Sequence, residues 1–464
     1  MTFRKVLFWL HLCTGVVAGT VVLIMAVTGV LLMYEKQITA WADRKYRVTP
    51  PSPSATRLAV ETLLSKVRDY RSVLPSTLTL RSDSAEPAAL GFGRESIVYL
   101  NPYTGAILGE GSKEIRSFFH VVTDWHRWLG APGENRAIAR AITGACNLGF
   151  LFLVISGFCI WWPKQWTRPQ LLNATWFRRG LPGKARDFNW HNVIGFWSAV
   201  PLFIIVLSAT VISYPWASNL VYRLVGEVPP PQGGLAGQSG SASQASSTGR
   251  LQRSQEAHSE GELPRRSEAA PRGMEGLRSQ GQSLGREPGD RRDGPGRLGG
   301  PSTSGAIVGP PTDLNLYGFD RLWSRAEEQV AGWRSITLRL PGSANLPLSF
   351  TIDQGNGGQP QKRAQLTLSR TTGQVICWEP FSSLTPGRQL RSILRFAHTG
   401  EVAGMIGQTI AGMVSAGASV LVYTGFALAW RRFRAWQLGR RSKQTLESIA
   451  PAAEAVEVGV DRTR

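Results

Sequence analysis

Cysteine is nearly absent. Four residues in 464, Cys13, Cys146, Cys159 and Cys377, show no paired spacing. That excludes a disulfide framework and a cysteine-built zinc site. Three of the four sit in apolar runs, where a thiol is a small packing group. The nucleotide-binding glycine motifs are missing too: no strand-Gly-x-Gly-x-x-Gly-helix unit and no P-loop, so no flavin, nicotinamide or nucleotide domain is encoded. A Gly-x-Ser-x-Gly elbow and a His-Glu-x-x-His zinc helix are also lacking. Acidic residues are scarce, 32 against 52 lysines and arginines, for a net charge of +20.

Charge is wholly missing from four long stretches, about 12–34, 141–162, 193–214 and 406–430, which contain no Asp, Glu, Lys or Arg. Each reaches the roughly 20 apolar residues that span a bilayer. The basic excess is placed beside these runs: Arg4 and Lys5, then Lys164 to Arg186, then Arg431 to Arg441. Under the positive-inside rule these flanks are cytoplasmic, as are both termini. The charge therefore reports topology, and no nucleic-acid partner is expected. Phe3-Arg4-Lys5 before an apolar run is similar to a secretory leader, but the run is long and lacks a clear small-residue cleavage site. An uncleaved first span is expected.

Four histidines fall where the apolar helices meet water: His11 and His191 on the cytoplasmic side, His126 and His398 on the outer side. Neutral imidazole is the usual protein ligand of haem iron, and two facing rings make it six-coordinate. Ionisable groups at membrane depth are costly enough to imply a function. His11, Gly15 and Gly19 share one helix face, as do His191, Gly195 and Ala199, leaving room for a flat macrocycle. The competing reading is small-residue helix packing beside an interfacial histidine. For His126 and His398 it is interfacial anchoring beside Trp125, Trp128 and Phe396. His120, six residues before His126 and on another helix face, is the alternative outer ligand. Arg4, Lys5 and Arg186 inside, and Arg127, Arg391 and Arg395 outside, are candidates to pair with haem propionates.

The sequence also repeats. Leu10-His11 with Gly15 recurs as Trp190-His191 with Gly195, 180 residues on. Tyr103-Thr104-Gly105 recurs as Thr371-Thr372-Gly373, and Ser156-Gly157-Phe158 as Thr424-Gly425-Phe426, each 268 residues on. A unit of helix, external domain and helix is thus expected twice in the same orientation. The difference in offset matches a Gly-, Ser-, Pro- and Arg-rich insert at 229–311, too poor in apolar residues to order itself and carrying His258 as a bystander. The expected layout is a first span (1–36), an external domain (37–118), a helix and second span (119–163) and a cytoplasmic loop (164–190). A third span (191–216), a second external domain with the insert (217–395), a fourth span (396–432) and a cytoplasmic tail (433–464) follow. Each external domain reads as small and mixed α/β: helices at 60–70 and 322–330, and strands at 76–81, 96–100, 335–340, 348–352, 364–368 and 374–378.

Phe8-Trp9-Leu10-His11 with Thr28-Gly29, the Asn101-Pro102-Tyr103-Thr104-Gly105 turn, and Asp124-Trp125-His126-Arg127-Trp128-Leu129 resemble the PepSY-associated transmembrane family. So do Ser156-Gly157 to Trp161-Trp162-Pro163, Trp190-His191-Asn192 and the block from His398 to Trp430. The resemblance covers most of the chain outside the insert and tail. The second copy departs from the pattern, with Ser208-Ala209-Thr210 for Thr-Gly and no Asn-Pro in the turn at 369–373. The family includes di-haem ferric-siderophore reductases of the bacterial inner membrane. The resemblance implies four membrane helices with two PepSY-like periplasmic α/β domains, two haem b groups held by His11/His191 and His126/His398, and reduction of a periplasmic ferric siderophore. With no donor domain encoded, electrons would come from a cytoplasmic reductase, a small carrier or membrane quinol. The alternatives are a non-enzymatic module that binds or regulates a periplasmic partner, and a haem subunit of another oxidoreductase.

Overall fold

A charge-free apolar run can satisfy its backbone polar groups in lipid only as a helix. In the computed structural model all four runs are helical. The structure describes residues 2–93, 96–162, 167–230, 314–343 and 345–461, with side chains to 440 except that of Asn173. From residue 231 onward the expected insert, with His258, lies outside the described residues.

The four long helices are α1 (Phe3–Leu32), α5 (Asn135–Trp161), α7 (Gly183–Ser213) and α11 (Gly404–Asp461), the last apolar enough to span a membrane within Glu401–Arg440. Helices α1 and α7 each touch both α5 and α11, so the bundle closes as a ring of four. Its interior is lined by Ala26, Leu202, Val414 and Ala418. Val17, Trp197, Val200 and Ile406 are left exposed on the outer face. Large apolar side chains in that position belong against lipid. The chain is a membrane protein.

Between the spans run shorter elements: α2 (Glu35–Ala42), α3 (Val60–Arg71), α4 (Lys113–Trp128), α6 (Arg168–Thr175), α8 (Pro215–Leu224), α9 (Phe319–Gln329) and α10 (Pro386–His398). The strands are β1 (Thr77–Arg81), β2 (Ala88–Phe92), β3 (Ser96–Leu100) and β4 (Ile107–Glu110), then β5 (Ser335–Arg339), β6 (Leu348–Asp353), β7 (Arg363–Leu368) and β8 (Val375–Pro380). The two regions expected as separate α/β units share one antiparallel sheet of order β4-β3-β2-β1-β5-β6-β7-β8.

The seam is β1 against β5, with Thr79 opposite Thr337 and their hydroxyls 2.9 Å apart. Leu78 and Leu80, with Ile336 and Leu338, turn inward from this seam and join one core with Leu63 and Leu64 of α3 and Phe319 and Trp323 of α9. Each half alone would leave a bare strand edge and a half-covered core; pairing the edges removes both problems. The helices are tied reciprocally as well. The Glu61 backbone N–H donates to Asp320 Oδ1 (3.1 Å), and the Asp320 N–H to Glu61 Oε1 (3.4 Å). Each acidic side chain thus caps the other helix's unsatisfied N-terminal donors.

On the sheet side α4 packs on α1 and α10 on α7. A second tie anchors α4. Asp43, buried in the short turn after α2, accepts hydrogen bonds from Arg116, the Tyr99 hydroxyl (2.9 Å) and the Ser112 N–H (2.8 Å). Burial alone would raise the Asp43 pKa, but the Arg116, Ser112 and Tyr99 hydrogen bonds outweigh it and hold the carboxyl below its usual range. Burial, with Asp43 beside it, pushes the Tyr99 hydroxyl up to about 12.

Candidate functional site

The structure places the four candidate histidines as two pairs at opposite ends of the bundle. His11 and His191 lie about two turns inside α1 and α7 rather than at the helix ends. His126 and His398 precede the second and fourth spans, at the C-terminal ends of the separate short helices α4 and α10. The chain must reverse directly after each of these short helices. Leu129 takes a left-handed conformation at φ 52° to leave α4. Gly400, at φ 69°, does so after α10, where a side-chain carbon would stand 2.3 Å from the Gly407 carbonyl oxygen. Only glycine fits there.

On the sheet side the His126 and His398 rings face each other, their centres 6.2 Å apart and their planes inclined by 50°. His126 approaches from α4 against α1, and His398 from α10 against α7. His120 does not join them: it is a partly exposed side chain whose Nδ1 lies 3.9 Å from Asp124 Oδ2. At the far end His11 and His191 occupy matching positions in the third turn of α1 and α7.

Each of the four rings is held at one nitrogen by a neighbouring span. His126 Nδ1 meets Thr28 Oγ1 at 3.0 Å, His11 Nδ1 meets Ser156 Oγ at 2.8 Å, and His191 Nδ1 meets Thr424 Oγ1 at 2.9 Å. These hydroxyls already donate their single proton to a carbonyl one turn back: Thr28 to Ile24 (2.6 Å), Ser156 to Leu153 (3.3 Å), Thr424 to Val420 (2.8 Å). With the hydroxyl proton on that carbonyl, the hydroxyl accepts and Nδ1–H donates. His398 needs no such inference, because its Nδ1 contacts the Ile205 carbonyl oxygen directly at 3.0 Å. His398 therefore carries a proton on Nδ1, and where the other three rings donate from Nδ1 their Nε2 lone pairs are left open in the same way.

A glycine follows three of the hydroxyls and makes room for the ring. A carbon added at Gly157 would lie 3.3 Å from His11 Cε1, at Gly29 3.5 Å from His126 Cε1, and at Gly425 3.7 Å from His191 Cε1. The hydroxyl-glycine pairs visible as sequence repeats are thus the cradles of the histidines. The fourth differs. Ser208-Ala209 stands where the other half has Thr28-Gly29, and His398 bonds instead to the carbonyl of Ile205, to which Ser208 also donates (2.8 Å). Gly19, expected to lie beneath a macrocycle, faces the Phe426 ring, so its smallness serves helix packing.

The sheet-side imidazoles are neutral at physiological pH. Burial, then the facing His398, lowers the His126 pKa to about 4; burial lowers that of His398, with Arg127 adding to the effect. Neutral imidazole is the ligating form. At the far end Arg4 is bound to the Ile160 and Trp162 carbonyls, and Arg186 and Arg431 both pair with buried Asp187. Among the described residues no three His, Cys, Asp or Glu side chains converge as a metal site.

A family model described as the PepSY-associated TM region matches residues 8–432, which takes in all four histidines and both halves of the sheet. The chain belongs to the PepSY-associated transmembrane family. No curated protein matches it. The match begins just before His11 and ends just after the charge-free run of the fourth span, so the four histidines, the bundle and the sheet all fall within its bounds.

Proposed function

We propose that this family member is a di-haem b oxidoreductase that carries electrons across the bacterial inner membrane. One haem would be held by His11 and His191 and the other by His126 and His398. The observation that carries the reading is the spacing of the sheet-side rings. An iron with axial bonds of about 2 Å, between two imidazoles bound through Nε2, sets their ring centres roughly 6 Å apart. His126 and His398 stand at 6.2 Å, each with Nδ1 already engaged. Interfacial anchoring does not require that spacing or that shared tautomer.

Haem supplies one-electron chemistry when bound; the protein's own part is ligation, burial and placement. Along α1 the His11 position and the Thr28 cradle are seventeen residues apart, roughly 25 Å at 1.5 Å per residue. Two sites divide the membrane into short hops, where one would leave a gap. The basic flanks support cytoplasmic termini and a periplasmic sheet. Electrons would then enter at His11/His191 from a cytoplasmic reductase or quinol and leave at His126/His398. The acceptor we favour is ferric iron in a siderophore complex, since reduction to the ferrous state weakens binding by hard oxygen ligands. The matching seam strands and reciprocal caps support an internal duplication, with two PepSY-like halves fused into one sheet.

The test is spectroscopic. Purified protein should carry haem absorption bands that sharpen on chemical reduction and be reoxidised by ferric siderophores. A folded but colourless preparation would refute the reading and favour a partner-binding module.

A further inference from the structure

The end of the bundle that carries His11 and His191 also holds a cavity of about 530 Å³, between the C-terminus of α5, α6 and the first turns of α7. That volume suits a small organic ligand. Its walls continue the histidine cradles. Ile160 and Trp161 follow Gly157, which faces His11, by about one helical turn, and Asn192 is the chain neighbour of His191. Two polar side chains hold the cavity together. Arg4 of α1 donates to the carbonyls of Ile160 (3.1 Å) and Trp162 and so closes the end of α5. Buried Asn189 donates to the Trp176 carbonyl (3.2 Å) and accepts from the Arg178 N–H (3.1 Å), which pins the chain between α6 and α7. Asn192 differs from both. Its half-buried side-chain amide lines the cavity and makes no hydrogen bond among the described residues.

Among the described residues no Asp or Glu lines the cavity, so it is unsuited to a cation. Trp161, Trp162 and Phe188 give it aromatic walls, and Trp162 and Phe188 are 48% and 60% exposed, leaving ring surface uncovered for a flat ligand. The charge-free run of α5 ends at Trp162 and that of α7 begins at Val193. The cavity therefore lies at the edge of the apolar layer, where a ligand can enter from lipid. An uncharged ring with two oxygens, carried on an apolar tail, matches these features together. An amide can donate to a quinone carbonyl or accept from a quinol hydroxyl. We propose that this cavity binds the head group of a membrane quinol, with Asn192 as its hydrogen-bond partner. The inference rests on the proposed electron-transfer reading for its purpose, and it selects quinol over a reductase or small carrier as the donor. One quinol oxidised to quinone gives up two electrons and two protons. The electrons reduce two ferric acceptors to the ferrous state, and the protons pass to cytoplasmic water.

The test is photolabelling of full-length protein in detergent with an azido-ubiquinone, a readout that depends neither on turnover nor on haem. Label should attach to the peptides that contain Ile160 to Trp162 or Phe188 to Asn192, and unlabelled ubiquinone-1 should displace it. Asn192→Leu should weaken binding about tenfold, the worth of a lost hydrogen bond. Ala174→Trp, which puts an indole from α6 into the cavity, should abolish labelling. Label found only elsewhere overturns the proposal, and so do variants that label like the wild type. Label at these peptides that phosphatidylglycerol displaces and ubiquinone-1 does not also overturns it, and makes the cavity a lipid site. The mapping on wild type needs no variant to fold. If quinone binds as expected while the folded protein carries no haem, the haem reading fails and the cavity assignment stands. A di-haem protein that takes no label leaves that reading intact and removes this one.

Discussion

His126 and His398 come from two different short helices, yet their rings face each other at 6.2 Å with both Nδ1 atoms turned away into hydrogen bonds. The pairing depends on the sheet-side helices being pinned to the bundle, and on a glycine or carbonyl cradle in the span behind each ring. Those dependences can be tested one at a time.

Removing a cradle hydroxyl should loosen a ligand without unfolding the bundle. Thr28→Val deletes the acceptor of His126 Nδ1–H and frees the ring to change tautomer. Loss of such a supporting bond lowers metal affinity about 10- to 100-fold. Titration of apoprotein with haem should show that loss at the sheet-side site and none at the far one. Equal affinity at both would mean the hydroxyl does not orient the ligand.

Filling a cradle should have a sharper effect. Gly157→Val places a branched side chain where even a single carbon lies 3.3 Å from His11 Cε1. The ring must tilt, and ligand geometry within about half an ångström is what such a site requires. The expected outcome is loss of one haem per chain, with helical content unchanged by circular dichroism. Retention of both haems would contradict the assigned cradle.

Asp43 secures α4, and with it His126, through Arg116. Its folded pKa is depressed, so its contribution to stability is complete above the unfolded value of 3.8 and is lost as pH falls below that toward the folded value. Asp43→Ala leaves Arg116 without its buried carboxylate and should cost about 3–5 kcal/mol near neutral pH. Thermal unfolding in detergent should show the gap between wild type and variant narrowing as pH falls below about 4. A gap that is constant across this range would remove the electrostatic explanation.

Across the seam, Asp320→Ala and Glu61→Ala should each cost about 1 kcal/mol, the usual worth of a helix cap. Their costs should fall short of additive, because each change removes the partner's role as well. A denaturant series on the two single variants and the double variant checks this; strict additivity would show the two caps to be independent.

Much of this architecture was legible in the sequence. Charge-free runs marked the apolar stretch of each of α1, α5, α7 and α11, while the helices run on past them into the charged flanks. Alternating β-branched and apolar residues located β1, β3 and β5 to β8. Strand β2 was missed because Ala88, Ala89 and Gly91 carry little strand preference. The joining of Thr77–Arg81 to Ser335–Arg339 could not be read either. Two similar edge strands brought together from more than 250 residues apart leave no local mark. That the fold sets His126 opposite His398 is a tertiary fact that the spacing of His120 and His126 on different helix faces does not decide. The cradles were visible only as repeats. Ser156-Gly157 and Thr424-Gly425 stood out by their matched spacing, but a hydroxyl's role depends on which ring the fold sets against it.

The central claim, that two imidazole pairs each grip a haem iron, is tested most directly by pyridine haemochrome quantitation per chain on wild type, His126→Ala and His191→Ala. Two haems in the wild type and one in each variant, with different bands lost, is the result expected. A folded wild type with no haem, or variants that keep the full complement, would contradict it.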